Sequence, residues 1–224
     1  MMEKLDNVVW HCLQETHKEF ALDYGSLLCY DPDHCPFGAF AGSPEVAEYV
    51  DQYASLISDF YIVGQPPRLS DKLEFKNELV CLQMLTERPV ASNITEAIMP
   101  LNGVCEQELF DLVTLVQPGF IKTKTSLLGN YYGIFKNNQL VAVTGERMQM
   151  HGFTEISAVV THPEHTGKGY AKQLLAYTTN RILEQNKIPF LHVNEKNTGA
   201  IQLYLSSGFA TRRKMSFWNI GCRV

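Results

Sequence analysis

Alternating apolar and polar residues divide the second half of the chain into short strands. Two such segments, 131–136 and 140–148, are joined by an Asn-Asn turn, and this arrangement predicts a β-hairpin. The same alternation predicts further strands over residues 152–162 and 190–193. We therefore expect this half of the chain to supply several neighbouring strands of one sheet.

Helical spacing of apolar residues appears at two places between and after these strands. Residues 170–186 place apolar side chains at helical intervals on one face. A second helix is expected from Asn197, an N-cap residue, to Ser206, with Gly208 as the residue that ends it. Strands that alternate with helices predict an α/β layer with at least one parallel strand pair.

Elements on either side complete this unit. Upstream, the pattern predicts a strand over 94–101, a helix over 106–116 and a short helix over 123–130, and a closing strand is expected over 212–220. The sequence therefore predicts an α/β domain that spans residues 90–224.

The first 89 residues carry a less regular pattern. It predicts a helix near Trp10, a helix over residues 43–58 and three short strands at 26–30, 37–40 and 59–64. We interpret residues 1–89 as a smaller α/β N-terminal domain, to which the sequence assigns no role.

Composition narrows the class of protein. The chain has 224 residues, 45% of them hydrophobic and 19% charged, as in ordinary globular proteins. Its net charge of -5, without a run of basic residues, argues against nucleic acid as a partner. The N-terminal segment lacks the apolar stretch of a signal peptide, and no segment is apolar for long enough to span a membrane. We expect a cytoplasmic protein that does not bind membranes and is a monomer or a homodimer.

The cysteines give no sign of a disulfide framework or a metal site. All six are scattered without a CxxC pair, so reduced thiols are expected. The group from Cys29 to Cys35, which contains Asp31, Asp33 and His34, has no second ligand pair at the spacing of a zinc finger. We interpret this segment as a turn and expect no metal.

A glycine-rich connection is the first feature with a chemical meaning. Gly167 and Gly169 lie where a strand ends and a long helix begins. At such a point backbone N–H groups and the positive end of the helix attract phosphate oxygens, and Lys168 adds a charge. The alternatives are an ordinary strand-to-helix connection and a solvated surface lysine. The spacing fits neither a Walker loop nor a dinucleotide fingerprint.

A carboxylate within the preceding apolar strand is the second feature. Alternation places Glu155, Ser157 and Val159 on one face of this strand. One interpretation is a glutamate that is paired or exposed at a sheet edge. The other is a general base whose pKa is raised by burial, which takes the proton of an amine during acylation.

Together these segments resemble the GNAT superfamily of acetyl-CoA-dependent N-acetyltransferases. Glu155 precedes Gly169 by fourteen residues, as the catalytic strand of that family precedes its pyrophosphate loop. The motif N-x-x-A-I-x-L-Y-x-x-x-G-F follows from Asn197 to Phe209. The segment from Asn130 to Ala171 is also similar to the FR47-like branch. The resemblance implies a GNAT fold with a mixed central sheet and flanking helices.

The resemblance also implies roles for individual residues. Glu155 would be the base, and Tyr204 would be the acid that protonates the CoA thiolate, although an aromatic core residue is the alternative for Tyr204. The implied acetyl-CoA site consists of two segments and one side chain: Val159, Val160 and Thr161; Thr166, Gly167, Lys168, Gly169, Tyr170 and Ala171; and Asn197. Thr166 replaces the Arg or Gln that leads the loop in the family.

The expected activity is transfer of an acetyl group from acetyl-CoA to an amine by direct attack. The acceptor, which is a small molecule, an amino acid or a peptide, is not identified by the sequence. Two alternatives stay open: a non-catalytic acetyl-CoA sensor or scaffold, and transfer of a longer acyl group as in proteins similar to glycine N-acyltransferases. His192, Arg147 and Tyr132 are further candidates for the acceptor pocket, and a satisfied core or edge histidine is the alternative for His192.

Overall fold

A computed structural model describes residues 2–223, in which eleven strands form one mixed sheet. The expected mixed sheet with flanking helices is confirmed. The strands are Ala21–Asp23 (β1), Leu27–Tyr30 (β2), Phe37–Phe40 (β3), Asp59–Val63 (β4), Leu73–Leu85 (β5), Ile98–Pro100 (β6), Tyr131–Lys136 (β7), Gln139–Met150 (β8), Phe153–Thr161 (β9), Ile188–Asn194 (β10) and Ala210–Cys222 (β11).

Helices cover both faces of this sheet. They are Val8–Gln14 (α1), Ala47–Ala54 (α2), Glu106–Val116 (α3), Tyr170–Glu184 (α4) and Thr198–Ser206 (α5). Successive residues of each strand point to opposite faces, so both faces of the sheet carry apolar side chains. Helices α1 and α3 pack on one face, and α2, α4 and α5 pack on the other. None of the helices within the described residues is long and apolar enough to cross a membrane.

The sheet runs without interruption through both halves of the chain. Its strand order is β1-β2-β3-β4-β11-β5-β10-β9-β8-β7-β6, so β5 lies between β11 and β10 near the centre. The expected boundary at residue 90 therefore cuts the chain just after a central strand. The division into two domains stays a prediction, but the two halves share one sheet.

Strand β5 was not predicted from the sequence. Its first half is largely exposed and carries Glu74, Lys76, Asn77 and Glu78, which hide the alternation expected of a strand. The strand persists because antiparallel pairing with β11 extends from Leu73 to Leu85. Pairing with a neighbour thus overrides the local preference of the polar half.

The other predicted elements are largely confirmed. The β7–β8 turn has positive φ at both asparagines, 51° at Asn137 and 63° at Asn138, as a tight hairpin requires. Helix α3 covers the predicted residues, and Gly208 follows α5 with a φ of 86°. Two predictions were too long, since the strand expected at 94–101 is limited to β6 and the helix expected at 123–130 is a 3-10 turn over Thr125–Leu128.

Strands β9 and β10 separate after a short stretch of pairing. They run parallel, with register from Ile188 opposite Phe153 to Phe190 opposite Glu155, and the pairing ends there. Beyond this point β9 contains a bulge, because its register with β8 shifts by one residue and Ala158 has a φ of 51°. The two strands therefore leave a gap in the middle of the sheet.

The bulge also changes which face the later residues of β9 occupy. Val159 packs with Ile156 against the α4 and α5 side, whereas Ala158 and Val160 pack on the α3 side. The expectation that Val159 shares a face with Glu155 is therefore wrong. The extra residue in the bulge reverses the alternation.

His17, which follows α1 in the chain, is buried against Tyr30 and Phe20. Its Nδ1 lies 2.9 Å from the hydroxyl oxygen of Tyr30, and its ring meets Phe20 edge-on at a centroid distance of 5.5 Å. Burial lowers the pKa of His17 from 6.5 to about 4. The folded protein therefore holds this histidine neutral over a pH range in which the unfolded chain protonates it.

This difference predicts a loss of stability on mild acidification. Since the pKa of His17 is lower in the folded state, its contribution is complete above pH 6.5 and is lost as the pH falls towards 4. We expect the free energy of unfolding to decrease by about 2 kcal/mol between pH 7 and pH 5. Urea titrations should show a smaller pH dependence for His17→Gln, and an equal dependence in both proteins would contradict this origin.

Candidate active site

A cavity of about 480 Å³ occupies the gap between β9 and β10. It is lined by Ser157 and Ala158 on β9 and by Val193 and Asn194 on β10. Its volume is typical of small-molecule binding sites. Because residues from both faces of the sheet line it, the cavity passes through the sheet.

The two ends of the cavity differ in character. On the α5 side its wall includes Ile156, Val159, Asn197, Ala200 and Tyr204. On the opposite side the wall is mainly apolar and aromatic and includes Phe37, Leu79, Cys81, Phe120, Ile121, Tyr131, Arg147 and Phe217. The N-terminal half of the chain thus supplies part of one end, through β3 and β5.

Glu155 lies beside the cavity in a buried ion pair. Only 1% of the residue is exposed, and it does not line the cavity, whereas Arg147 and His192 do. Nε of Arg147 donates to one carboxylate oxygen of Glu155 at 2.8 Å, and Nη2 donates to the other at 3.0 Å. Nδ1 of His192 lies 2.8 Å from the second oxygen. Three hydrogen bonds therefore fix the carboxylate.

The expected elevation of the Glu155 pKa is wrong. Burial alone would raise this pKa, but the charge of Arg147 and the hydrogen bonds from His192 and Arg147 outweigh burial and lower it to about 2. The sequence interpretation that the glutamate is paired is thus the one that the structure shows. Glu155 is fully ionised at neutral pH.

The partners of His192 define which of its nitrogens carries the proton. Nε2 of His192 lies 3.1 Å from Nε2 of Gln83. The amide of Gln83 has a fixed orientation, because its oxygen accepts from Arg212 and its nitrogen donates to the carbonyl of Leu5. Its nitrogen therefore also donates to His192, whose proton resides on Nδ1 and points to Glu155. His192 is both a satisfied buried histidine and a cavity residue.

Tyr204 lies on α5 and lines the cavity. The residue is 7% exposed and packs against Phe209 at a ring-centroid distance of 6.1 Å. Burial raises the pKa of its hydroxyl to about 12. The group is therefore protonated at neutral pH and able to donate a proton.

The residues implied for acetyl-CoA lie in different surroundings. Val159 and Asn197 line the cavity, and the side chain of Asn197 caps α5 by accepting from the N–H of Ala200 at 3.1 Å. Val160 is buried, and Thr161 pairs with Ala142 on β8.

The predicted loop forms the N-terminus of α4. Thr166, Gly167, Lys168 and Gly169 are exposed, and Tyr170 and Ala171 begin the helix. Both glycines have positive φ, 75° and 78°, which explains why glycine is present. The hydroxyl of Thr166 donates to the carbonyl of Pro163 and is therefore engaged within the turn. These residues do not line the cavity, so the loop and the cavity are separate surfaces.

Some further candidates fall at the site and others do not. Arg147 lines the cavity as expected, but Tyr132 does not, because it packs on the α4 face beside Tyr177. The segment near Asp31 is the expected turn, in which the Asp31 carboxylate accepts from the N–H of Asp33. Sequence reasoning missed Gln83, because strand β5 was not recognised.

Residues 131–218 match a family model described as FR47-like protein. A protein from Novosphingobium aromaticivorans DSM 12444 that is assigned to the GNAT family of acetyltransferases is 29% identical, with a TM-score of 0.88 over 98% of this chain and 99% of that chain. A GCN5-related N-acetyltransferase from Kribbella flavida is 15% identical, with a TM-score of 0.65 over 97% and 95%, a likeness that shows the fold alone. Among curated proteins, no sequence matches this chain.

The ion pair at the cavity predicts an asymmetric response to substitution. Glu155→Gln removes one charge and leaves Arg147 buried without its counterion, so we expect a loss of about 3 kcal/mol in the free energy of unfolding. Replacing both residues, as Arg147→Met with Glu155→Leu, removes the charge imbalance and should recover most of that loss. Urea unfolding of the three proteins measures both effects, and an unchanged midpoint for Glu155→Gln would contradict the pair.

Proposed function

The chain belongs to the GNAT superfamily, in its FR47-like branch, and from this we propose that it transfers an acetyl group from acetyl-CoA to an amine. The observation that carries the proposal is the cavity through the sheet between β9 and β10, with Tyr204 on one side of it. In the proposal the cofactor enters from the α5 side and the acceptor from the aromatic side. The two reactants then meet in the gap, where their reaction becomes effectively unimolecular.

The proposed cofactor site uses the backbone more than side chains. The N–H groups at the start of α4, with Gly167 and Gly169, would receive the pyrophosphate, which the positive end of the helix favours. The β9 segment 159–161 would pair with the pantetheine arm, and Asn197 would contact it. Loss of the usual Arg or Gln at Thr166 leaves these backbone donors in place.

The proposed chemistry is direct attack of a neutral amine on the thioester carbonyl. The new C–N bond forms, the C–S bond breaks, and the hydroxyl of Tyr204 supplies a proton to the departing thiolate. The hydroxyl is protonated at neutral pH and lies on the cavity wall, as that role requires. A backbone N–H near the β9 bulge would polarise the carbonyl.

In the proposal, the role of Glu155 differs from the one that the resemblance implied. A carboxylate with a pKa of about 2 is a poor base for a free ammonium ion. The attacking nitrogen becomes much more acidic once its bond to carbon has formed, and it would then release its proton to water in the cavity, because Glu155 does not line the cavity. Before attack, Glu155 positions Arg147 and His192 on the cavity wall.

One observation favours a second function. Glu155 is salt-bridged and does not line the cavity, and this is the arrangement expected of a protein that binds acetyl-CoA without turnover. The cavity also leaves open the transfer of an acyl group longer than acetyl. Turnover measurements separate these possibilities.

Thiol release from acetyl-CoA tests catalysis directly. With a panel of amines, amino acids and peptides, we expect release that depends on one class of acceptor. Tyr204→Phe should lower kcat by roughly 10- to 100-fold with little change in KM for acetyl-CoA, because the hydroxyl acts only on the departing thiolate. This substitution retains the ring that packs in the core, so stability serves as the control. Tight CoA binding without turnover on any acceptor would instead identify a binding protein.

Substitution of one loop glycine tests the cofactor site. Gly169→Asp introduces a negative charge and a side chain at a φ of 78°, so the dissociation constant for CoA should rise by roughly tenfold or more. Gly42→Asp is the matched control, since it has a φ of 82°, equally open surroundings and a place in another part of the chain. Calorimetric titration with CoA gives both values, and equal affinities would remove the loop from the site.

A further inference from the structure

Arg147 is the charged side chain on the wall of the cavity, and its orientation points to a class of acceptor. We propose that the acceptor is an amino acid with an apolar or aromatic side chain, whose carboxylate is bound by Arg147 while its amine faces the gap between β9 and β10. This inference rests on the proposed acyl transfer and specifies its second substrate.

The guanidinium of Arg147 is held in place but not saturated. Its Nε and Nη2 atoms donate to Glu155, and its plane lies over the ring of Phe37, 4.7 Å from the ring centroid. Among the residues that the structure describes, no group accepts a hydrogen bond from Nη1. The residue is 9% exposed, so the remaining donors face the cavity.

The free N–H groups of Arg147 reach the cavity surface, where an oxygen acceptor on a ligand would form hydrogen bonds with them. A carboxylate fits best, because the planar fork of an arginine binds it with charge-assisted hydrogen bonds. Glu155 takes two N–H groups on one edge of the guanidinium and thereby fixes the direction of the others. The ion pair thus orients the free N–H groups of Arg147 towards the ligand.

The charge of the cavity argues against cationic acceptors. No Asp or Glu from residues 2–223 lines it, and the carboxylate of Glu155 lies behind Arg147. Both ring nitrogens of His192 are already engaged, Nε2 with Gln83 and Nδ1 with Glu155. A polyamine or a lysine-rich peptide would therefore meet the positive end of the pair, whereas a carboxylate would be attracted to it.

The rest of this end of the cavity suits an apolar side chain. Four aromatic residues form much of the wall: Phe37, Phe120, Tyr131 and Phe217. The hydroxyl of Thr125, which also lines the cavity, is already used, since it donates to the carbonyl of His34 at 2.7 Å. An aromatic or branched aliphatic group would bury its surface here, and an ionic side chain would find no partner.

Binding of a substrate fragment to the unaltered protein tests the carboxylate site without catalysis. The probes are 3-phenylpropionate and 3-phenylpropanol, which share a ring and chain and differ in the carboxylate. With excess CoA present to occupy any phosphate site, calorimetry at neutral pH should show at least tenfold tighter binding of the acid. Equal affinities, or no binding of the acid, would overturn the proposal.

Two variants connect that difference to Arg147. Arg147→Lys keeps a charge that can pair with Glu155 but loses the planar fork, so affinity for 3-phenylpropionate should fall by roughly tenfold while that for 3-phenylpropanol is unchanged. Arg213→Lys is the control, because Arg213 is exposed and bonds only at the surface, to Asp6 and to its neighbour. Unaltered affinity for the acid in Arg147→Lys would overturn the assignment, and urea unfolding checks that the variant is folded.

Turnover with acetyl-CoA separates failure of this inference from failure of the proposed function. We expect phenylalanine and leucine to be acetylated with kcat/KM at least tenfold above that of phenethylamine, and spermidine to be a poorer acceptor still. Acetylation of spermidine in preference to phenylalanine would refute the carboxylate site and leave acyl transfer standing. Acetylation of no amine, with 3-phenylpropionate still bound through Arg147, would refute acyl transfer and leave the site standing.

Discussion

The buried charge of Glu155 is the constraint on which the site depends. An ionised carboxylate removed from water is costly unless charged and hydrogen-bonding partners surround it. Arg147 and His192 supply those partners, and each is itself held by another part of the chain. The guanidinium of Arg147 lies over Phe37, in the N-terminal half of the chain, and the imidazole of His192 is hydrogen-bonded to Gln83. One charge therefore connects several distant elements.

This connection gives the N-terminal half of the chain a structural reason to be present. Gln83 lies on β5, at the centre of the sheet, and its amide is oriented by Arg212 from a bulge in β11 and by the carbonyl of Leu5. Arg212 in turn bonds the carbonyl of Met2 and the carboxylate of Asp6. The first turn of the chain thus contributes to the orientation of a histidine on the cavity wall. The role of residues 1–89 includes supporting this wall.

Much of the fold followed from the sequence, and three of the residues named from it, Val159, Asn197 and Tyr204, line the cavity. The physical reasons differ by element. The hairpin, helix α3 and the ends of α5 carry strong local signals in their turn and cap residues. Strand β5 was not predicted because its polar half is stabilised by pairing with β11, which is a long-range effect. The faces of β9 were misassigned because the bulge at Ala158, where φ is positive, shifts the alternation. The sequence contains no local pattern that predicts this bulge. The predicted shift in the pKa of Glu155 had the wrong direction because its partners, Arg147 and His192, lie on other strands.

We propose that acyl-CoA and the acceptor meet where β9 and β10 separate. A crystal structure of the protein with acetyl-CoA tests this most directly. We expect the pyrophosphate at the start of α4, the pantetheine arm beside residues 159–161 and the thioester in the cavity next to Tyr204. Cofactor bound elsewhere, with the gap between the strands filled by protein side chains, would contradict it.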